Sequence, residues 1–423
     1  MEWSERDQSA IWHPFTHQWK KDFHINIVKG QGVYIYDDKG NRYIDAISSW
    51  WVNLHGHAHP YINEKIKEQI DKIEHVIFAG FTHEPAIQLA EGLLNILPPN
   101  QSKIFYSDNG STAVEVAIKM TLQYWNNIGQ PKNTFLAFED SYHGDTFGAM
   151  AVGAKSVFNE PFGNAAFEVI HLPIPTSENI SQLRERVSKL AQQHSIAGFI
   201  FEPLVQGSGG MLMYEAEDLE QLIIHCQNLD IICIADEVMT GFGRTGAMFA
   251  CDHLEVAPDI FCLSKGLTGG YLPLGVTSCT SKIYHAYLEN DPKKTFYHGH
   301  SYTANPLACT AGVASLDIFH QPDYIDEIVR ITFKHQSFLH QLKSISKIEN
   351  PRQTGTILAF DIKNEEGTSY FNSKRDLYYK AFLDKGILLR PLGNTIYILP
   401  PYCITNEELD LIYKTILEVL HSL

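Results

Sequence analysis

Residues 231–237 read IICIADE, an apolar run that ends in the acidic pair Asp236-Glu237. An apolar run of this length is typical of a strand buried on both faces of a parallel sheet. A second apolar run, Ile260–Leu263, is followed by Lys265 in a segment rich in Ser, Thr and Gly. Because open α/β sheets bind ligands at the carboxyl ends of their strands, the Asp236 carboxylate and the Lys265 amine are predicted to face one crevice.

The rest of the chain alternates short apolar runs with stretches of helical period. This alternation predicts an α/β fold with a mostly parallel central sheet and helices on both of its faces. Further strands are expected over residues 104–106, 134–138 and 198–201, and helices over residues 111–125 and 219–229.

Both ends of the chain carry distinct local patterns. Residues 33–47 predict a β-hairpin, because two Tyr- and Ile-rich runs flank the turn sequence DKGN at 38–41. At the other end, Thr405 and Glu408 have the spacing of a helix capping box. Apolar residues then recur on one face of the helix that follows, namely Leu409, Ile412, Ile416 and Val419.

The composition excludes several classes of protein. The chain has 423 residues, enough for two domains of ordinary size, and 44% of them are hydrophobic, so global disorder is excluded. The formal net charge of −16 repels phosphate backbones, so nucleic acid is not expected as a partner. No apolar stretch approaches the roughly 18 residues of a membrane-spanning helix, and the first residues lack the pattern of a secretory signal.

The seven cysteines predict the cellular compartment. They are odd in number and contain no CxxC pair, which in a chain of this size favours reduced, buried thiols over a disulfide framework. A cytoplasmic enzyme is therefore expected.

Lys265 and Asp236 together indicate a specific cofactor. Pyridoxal 5'-phosphate needs a lysine to form a Schiff base and an acid to keep its ring nitrogen protonated. The structural alternative is that Asp236 caps a helix and Lys265 is solvated, and for these two residues alone it is the commoner outcome.

Two other segments are candidates for the same site. Gly110 and Ser111 lie where a strand passes into a helix, and a helix N-terminus with a glycine can bind a phosphate. Tyr142 follows the expected strand 134–138, where its ring could stack on a planar cofactor. Each has a structural alternative: the first is a common polar turn, and the second could be a tyrosine packed at a domain boundary.

The histidines of the segment HGHAH, residues 55–59, resemble a metal site, because alternate residues on a strand share one face. No further acidic or histidine ligand stands at a suitable spacing, so no metal is expected there. The pair His298 and His300 is better explained by a phosphate-binding loop.

Taken in order, these segments resemble the class-III aminotransferases, pyridoxal-phosphate enzymes of fold type I, over essentially the whole chain. The most specific stretch is ADEVMTGFGRTG at 235–246, followed by PDI at 258–260 and SKG at 264–266. The resemblance implies a large cofactor-binding domain over about residues 50–320 and a smaller α+β domain. The smaller domain would combine residues 1–49 with residues 321–423, so that the hairpin packs near the last helix.

The resemblance also implies a role for each candidate residue. Lys265 would hold the cofactor covalently and transfer protons, while Asp236 would pair with the ring nitrogen. Tyr142 would stack on the ring, and Gly110 and Ser111 would bind the phosphate.

In this family the neighbouring subunit completes the phosphate site, which implies a homodimer with shared active sites. The residues that correspond to this contribution are His300 and Ser301, with Gly299 beside the substrate.

Within the family, four segments resemble the enzymes that aminate 8-amino-7-oxononanoate in biotin biosynthesis. They are WHPFT at 12–16, SSWW at 48–51, YHGDTFGA at 142–149 and RPLG at 390–393. This resemblance implies a ping-pong reaction that yields 7,8-diaminononanoate, with S-adenosyl-L-methionine as amino donor. Arg390 would bind the acceptor carboxylate, and Phe15 and Trp50 would form an aromatic wall beside Tyr142 and Lys265.

Three departures from the family pattern keep alternatives open. Met239 stands where many ω-amino-acid transaminases have Gln, which argues against a broad ω-amino-acid transaminase. Phe15 stands where Tyr is common, and the pair His300-Ser301 stands where Pro-Thr is common. Relatives that use L-lysine as donor can carry both of the latter changes, so lysine remains an alternative donor. An alternative of another class is a pyridoxal-phosphate-binding protein without turnover.

Overall fold

The structure is a computed structural model that describes residues 3–16, 24–154, 162, 167–363, 372 and 374–423. Its helices are α1 (Trp3–Ala10), α2 (Ser48–Trp51), α3 (Pro60–Ile70), α4 (Glu84–Ile96), α5 (Gly110–Asn127), α6 (Phe147–Val152), α7 (Ile180–Gln193), α8 (Ala216–Asn228), α9 (Ser281–His285), α10 (Pro306–Phe319), α11 (Tyr324–Leu342), α12 (Arg375–Asp384) and α13 (Asn406–Ser422). Its strands are β1 (Ile27–Gln31), β2 (Tyr34–Asp37), β3 (Arg42–Asp45), β4 (Gln101–Ser107), β5 (Thr134–Phe138), β6 (Val169–Leu172), β7 (Ile196–Phe201), β8 (Val205–Gln206), β9 (Leu212–Met213), β10 (Ile232–Asp236), β11 (Ile260–Leu263), β12 (Gly275–Thr280), β13 (Ile348–Thr354), β14 (Ile357–Ile362), β15 (Ile387–Leu388) and β16 (Thr395–Ile398).

A seven-stranded sheet forms the centre of the molecule, with the strand order β4-β12-β11-β10-β7-β5-β6. Neighbouring strands from β11 to β6 are parallel, and β12 alone runs antiparallel to both of its neighbours. Every residue of β5, β7, β10, β11 and β12 is buried. The mainly apolar sequences of β5, β7, β10 and β11 are typical of strands covered on both faces. The predicted α/β fold with a mostly parallel sheet is confirmed.

The sheet is covered by helices on both faces. Along β10, Cys233 and Ala235 pack into the same core as α7 and α8, whereas Ile232 and Ile234 pack with α5. Alternate side chains of a strand point to opposite faces, so a fully apolar strand needs a helical layer on each side. The predicted helices 111–125 and 219–229 correspond to α5 and α8 within a few residues.

The two ends of the chain meet outside the central sheet. The predicted hairpin is present as β2 and β3, and β15 pairs with β3 in parallel, with Ile387 opposite Ile44. At the start of α13 the predicted capping box is confirmed, because Thr405 and Glu408 bond to each other's backbone N–H. The Tyr34 hydroxyl of the hairpin also lies near the Glu408 carboxylate, and burial together with this carboxylate raises the pKa of Tyr34 to about 12. The hairpin and the last helix therefore pack together, as expected.

The short turn α2 has an unusual backbone. Its four residues, Ser48–Trp51, have φ angles of +50°, +46°, +70° and +76°, so the turn is left-handed. A left-handed conformation costs about 1–2 kcal/mol for each residue with a side chain, so external contacts must stabilise it. Ser49 donates to the Asp45 carboxylate through its backbone N–H at 2.9 Å and its hydroxyl at 2.6 Å. The Ser48 hydroxyl donates to the carbonyl of Leu399 at 2.7 Å.

Six of the seven cysteines are buried free thiols, as predicted, but Cys403 is exposed. Cys403 departs from the expectation because it lies in the loop before α13 rather than on a core strand. Among the described residues, none of the helices combines the length and the apolar character needed to cross a bilayer.

Candidate active site

A cavity of about 640 Å³ lies at the carboxyl ends of β10 and β11, where the sequence predicts a ligand crevice. Both Asp236 and Lys265 line it. Their proximity follows from the sheet: β10 and β11 are parallel neighbours, Asp236 pairs with Cys262, and Lys265 stands three residues beyond Cys262. The volume lies within the range of small-molecule sites, roughly 300–1,000 Å³.

Lys265 begins a 3₁₀ turn, Lys265–Thr268, and has a φ of +49°, a strained value for a residue with a side chain. Its Nζ lies 4.4 Å from the centroid of the Trp51 ring. Loss of contact with water lowers the pKa of Lys265 to about 8, and the Arg244 charge adds to this, although Asp236 and Glu202 oppose it. A substantial fraction of the amine is therefore neutral near physiological pH, as a proton acceptor or nucleophile requires.

Asp236 is buried at the end of β10 and is held from two sides. Its Oδ2 lies 2.7 Å from Nδ1 of His143, and its Oδ1 accepts the backbone N–H of Val238 at 3.1 Å. A carboxylate accepts, so His143 carries its proton on Nδ1 in this pair. The imidazole fixes the carboxylate so that it can face a ligand in the cavity.

Gly110 and Ser111 form the first turn of α5 at the cavity wall, next to the N-cap Asn109. A Cβ atom on Gly110 would lie 2.6 Å from Cγ1 of Val238, so only glycine fits at this position without displacing the first turn of α5 or the Val238 side chain. The Ser111 hydroxyl accepts the backbone N–H of Thr146 at 3.0 Å. Free backbone N–H groups at a helix N-terminus attract a phosphate, so this turn fits the phosphate of the predicted cofactor.

Tyr142 lines the same cavity from the loop after β5. Burial and the carboxylate of Asp145, to which its hydroxyl bonds, raise the pKa of Tyr142 well above its usual value. The phenol thus stays neutral and its ring forms part of the cavity wall.

A smaller pocket of about 300 Å³ adjoins this cavity and shares Trp51, Tyr142 and Lys265 with it. Its remaining walls are mainly apolar and aromatic, from Phe15, Trp50, Ser208 and Leu392. The rings of Phe15 and Trp50 meet edge to face at 5.2 Å. The sequence-predicted aromatic wall is therefore assembled next to Lys265.

Arg390 lies behind this wall. Its Nη2 donates to the carbonyl oxygen of Phe15 at 3.2 Å, and its guanidinium lies 5.1 Å from the centroid of the Trp50 ring. Arg390 thus contacts both aromatic residues, although it does not itself line the pocket.

Gly299, His300 and Ser301 do not line either cavity of their own chain. Gly299 and Ser301 are exposed, and Nε2 of His300 is buried without a hydrogen-bond partner among the described residues. The single chain therefore does not bring these three residues to the other predicted site residues.

Two site residues were missed by the sequence analysis. Glu202 lines the cavity directly after β7, and burial together with the Asp236 charge raises its pKa well above the usual value. The rule applied to Asp236, an acidic residue at the end of an apolar run, would have found Glu202. His143 gave no such signal, because it follows β5 and reaches Asp236 across the intervening β7.

The histidines at 55, 57 and 59 do not lie on a strand, so the premise of a shared face is wrong. Both ring nitrogens of His55 are already bonded, Nε2 to the Ser315 hydroxyl and Nδ1 to the Tyr324 hydroxyl, each at 2.8 Å. His57 bonds to Asp45 at 3.0 Å. These rings therefore connect parts of the fold.

Comparison with known proteins places this arrangement in context. The model of the family "Aminotransferase class-III" matches residues 15–420. The chain is 47% identical to the adenosylmethionine-8-amino-7-oxononanoate aminotransferase of Synechococcus elongatus, over 98% of this chain and 99% of that protein. It is 39% identical to the enzyme of the same name from Helicobacter pylori, over 99% and 97% of the two chains.

Solved structures of transaminases also share the fold of this chain. The crystal structure of an adenosylmethionine-8-amino-7-oxononanoate aminotransferase from Methanocaldococcus jannaschii superposes with a TM-score of 0.92, at 37% identity over 98% of each chain. An amine transaminase from an uncultivated Pseudomonas species, solved in its PLP-bound form, superposes with a TM-score of 0.90, at 31% identity over 98% of each chain.

Proposed function

The chain belongs to the class-III aminotransferases, whose cofactor is pyridoxal 5'-phosphate, and from this premise we propose that it aminates 8-amino-7-oxononanoate to 7,8-diaminononanoate in biotin biosynthesis. The observation that carries the proposal is that a cofactor-sized cavity and an aromatic pocket share the amine of Lys265. The reaction is of the ping-pong type, in which a donor first leaves its amino group on the enzyme and the acceptor then takes it.

The residues around the first cavity suit the cofactor. The N-terminal turn of α5, with Gly110 and Ser111, would bind the phosphate, and the Asp236 carboxylate, oriented by His143, would pair with the ring nitrogen. When bound, the cofactor supplies an electron-withdrawing ring that stabilises negative charge on the substrate carbon. Lys265, whose pKa is lowered to about 8, accepts a proton from that carbon and returns it.

The second pocket suits an acceptor with a long methylene chain. Phe15 and Trp50 give it an aromatic wall, and the guanidinium of Arg390 lies directly behind that wall. An acceptor with its carboxylate at the far end of an apolar chain needs a cation remote from the reacting keto group. Arginine can bind such a carboxylate through two hydrogen bonds. Arg390 is therefore assigned to the acceptor carboxylate.

The donor assigned is S-adenosyl-L-methionine, whose adenine ring can stack on the aromatic wall. Phe15 keeps the stacking face but lacks the hydroxyl of a tyrosine, a hydrogen bond of about 1 kcal/mol. That loss changes affinity only several-fold, so it does not exclude this donor. L-Lysine is the alternative, because it needs no adenine-stacking surface.

The active enzyme is assigned as a cytoplasmic homodimer. Gly299, His300 and Ser301 do not contribute to the cavities of their own chain, which is the arrangement expected if they complete the site of a partner subunit. The exposed Ser301 leaves its hydroxyl available for a phosphate across such an interface, and Nε2 of His300 has no hydrogen-bond partner among the described residues.

The proposal is tested by incubating purified holoenzyme with 8-amino-7-oxononanoate and each donor, and measuring 7,8-diaminononanoate by mass spectrometry. Lys265→Ala is the matched control and should bind the cofactor without forming product. Absence of product with every donor, despite bound cofactor, would contradict the proposed activity and favour a binding protein without turnover.

The donor is decided by a single-turnover experiment that omits the acceptor. The cofactor-bound enzyme is mixed with S-adenosyl-L-methionine or L-lysine, and bleaching of the cofactor's visible absorbance is followed. We expect rapid bleaching by S-adenosyl-L-methionine, strengthened several-fold in Phe15→Tyr. Bleaching by lysine alone would assign the other donor.

A further inference from the structure

Asp7, His13 and His24 form a cluster outside both cavities. Asp7 lies on α1, His13 follows that helix, and His24 precedes β1. Nε2 of His13 lies 2.8 Å from Oδ2 of Asp7, and Nε2 of His24 lies 3.6 Å from the same oxygen. One potential ligand atom from each residue lies within 4.8 Å of the other two. Among the described residues, no other group of three His, Cys, Asp or Glu side chains meets this criterion.

The arrangement exceeds what a structural hydrogen bond requires. One imidazole is enough to hold a carboxylate, as in the pair of His143 with Asp236, yet here two imidazoles approach a single carboxylate oxygen. The rings of His13 and His24 also pack closely, with centroids 3.9 Å apart and an angle of 39° between their planes. Two closely packed imidazoles beside one acidic group bring three good ligands to one point.

The distances suit a transition-metal ion. Bonds of about 2.0–2.1 Å in a tetrahedral site place neighbouring ligand atoms roughly 3.3 Å apart. The separations of 2.8 and 3.6 Å lie on either side of this value, and all three ligand atoms lie within 4.8 Å of one another, so side-chain adjustments would bring them to one ion. The three side chains are 21–32% exposed, which leaves room for a water molecule as a fourth ligand.

We propose that Asp7, His13 and His24 bind one zinc ion per chain, with water as the fourth ligand. Two imidazoles and one carboxylate are a ligand set that Zn²⁺ accepts, whereas Mg²⁺ and Ca²⁺ prefer oxygen ligands alone. Binding replaces the hydrogen bond between Asp7 and His13 by two metal–ligand bonds, and the neutral His13 ring then carries its proton on Nδ1 instead of Nε2.

The ion would connect the chain on both sides of Phe15, since His13 precedes this residue and His24 follows it. Phe15 forms part of the aromatic wall and its carbonyl oxygen accepts from Arg390. Zinc would therefore anchor His13, two residues before Phe15 of the substrate pocket, without contact to Lys265 or Asp236. This role is separate from the amino-transfer chemistry and holds whichever donor the enzyme uses.

The test is calorimetric titration of untagged, chelator-treated holoenzyme with Zn²⁺ at mildly alkaline pH, where imidazole is neutral. We expect one equivalent to bind per chain, and the affinity to fall at least about tenfold in both His24→Ala and Asp7→Asn, the loss of 1.4 kcal/mol or more. The matched control is His421→Ala, which removes an exposed imidazole at the end of α13 and should leave the affinity unchanged.

A second measurement does not depend on any variant. Co²⁺ added to the wild-type holoenzyme should give the intense visible absorption of a four-coordinate site, and Zn²⁺ should abolish it. The proposal is wrong if wild-type protein takes up no stoichiometric Zn²⁺, or if His24→Ala binds it as tightly as wild type. It is also wrong if Co²⁺ gives only the weak spectrum of the hydrated ion.

Discussion

Replacement of Arg390 by lysine separates the two half-reactions. Lysine keeps the positive charge but loses the planar fork that can bind a carboxylate through two hydrogen bonds. Loss of one hydrogen bond to a charged group costs about 1.5–3 kcal/mol, so the KM for 8-amino-7-oxononanoate should rise roughly 10- to 150-fold. This is the effect expected of a residue that binds the acceptor.

The same substitution also disturbs the aromatic wall, and that effect is smaller. Arg390 stands over the Trp50 ring at 5.1 Å, a cation–π contact worth about 0.5–1 kcal/mol at a partly exposed site. Because Trp50 serves both substrates, its loss should slow the donor half-reaction only about two- to fivefold. The acceptor step should therefore be impaired at least several times more than the donor step.

The assay follows each half-reaction alone by the visible absorbance of the cofactor in a stopped-flow instrument. Phe15→Ala is the control, because it removes the ring while the backbone carbonyl that accepts from Arg390 remains. If Arg390 acts only by holding Phe15, the two variants should show the same pattern. Equal impairment of both half-reactions in Arg390→Lys would refute its assignment to the acceptor carboxylate.

Three further outcomes follow from the cavity. The cofactor-free protein should react with added pyridoxal phosphate at a rate that rises with pH through about 8, since only the neutral Lys265 amine is reactive. Lys265→Ala serves as the blank, and a midpoint of the rate profile near pH 10 would contradict the lowered pKa of Lys265. Asp236→Asn should slow both half-reactions at least about a hundredfold, because the ring nitrogen of the cofactor loses its acidic partner. The melting temperature of the cofactor-free protein should stay nearly unchanged, and normal turnover would show that Asp236 does not belong to the site. Gly110→Ala should weaken cofactor binding at least about tenfold, because the added Cβ would lie 2.6 Å from Val238 and displace the start of α5. Equilibrium dialysis measures this affinity, and an unchanged value would show that this turn does not hold the phosphate.

The sequence was informative where local pattern and sheet geometry agree. Asp236 and Lys265 could be brought together because two apolar runs predicted parallel strands, and parallel strands end at one edge of a sheet. The capping box of Thr405 and Glu408 was equally local, since its two residues lie within one turn. In these cases the predictive information resides in a few neighbouring residues.

Other features depended on contacts between distant segments. The contact of His143 with Asp236 crosses an intervening strand, so it required the strand order β10-β7-β5, which no local pattern contains. The left-handed turn at 48–51 was likewise hidden, because neither Ser nor Trp favours positive φ. The shared strand face assumed for the histidines at 55–59 is absent, because this segment makes only an isolated bridge between His57 and Gly32 while His55 bonds to α10 and α11.

The left-handed turn Ser48–Trp51 makes the substrate pocket depend on the order in which the chain folds. Its contacts reach Leu399 through the Ser48 hydroxyl and Tyr397 through the indole N–H of Trp51, at 3.1 Å. Both partners stand near the C-terminus, some 350 residues away, whereas the seven strands of the central sheet end at Thr280. During synthesis the sheet that positions Asp236 and Lys265 can form while Ser48 and Trp51 still lack their contacts to Leu399 and Tyr397. The aromatic wall is therefore completed only after the segment around Tyr397 has been made and has packed against this turn.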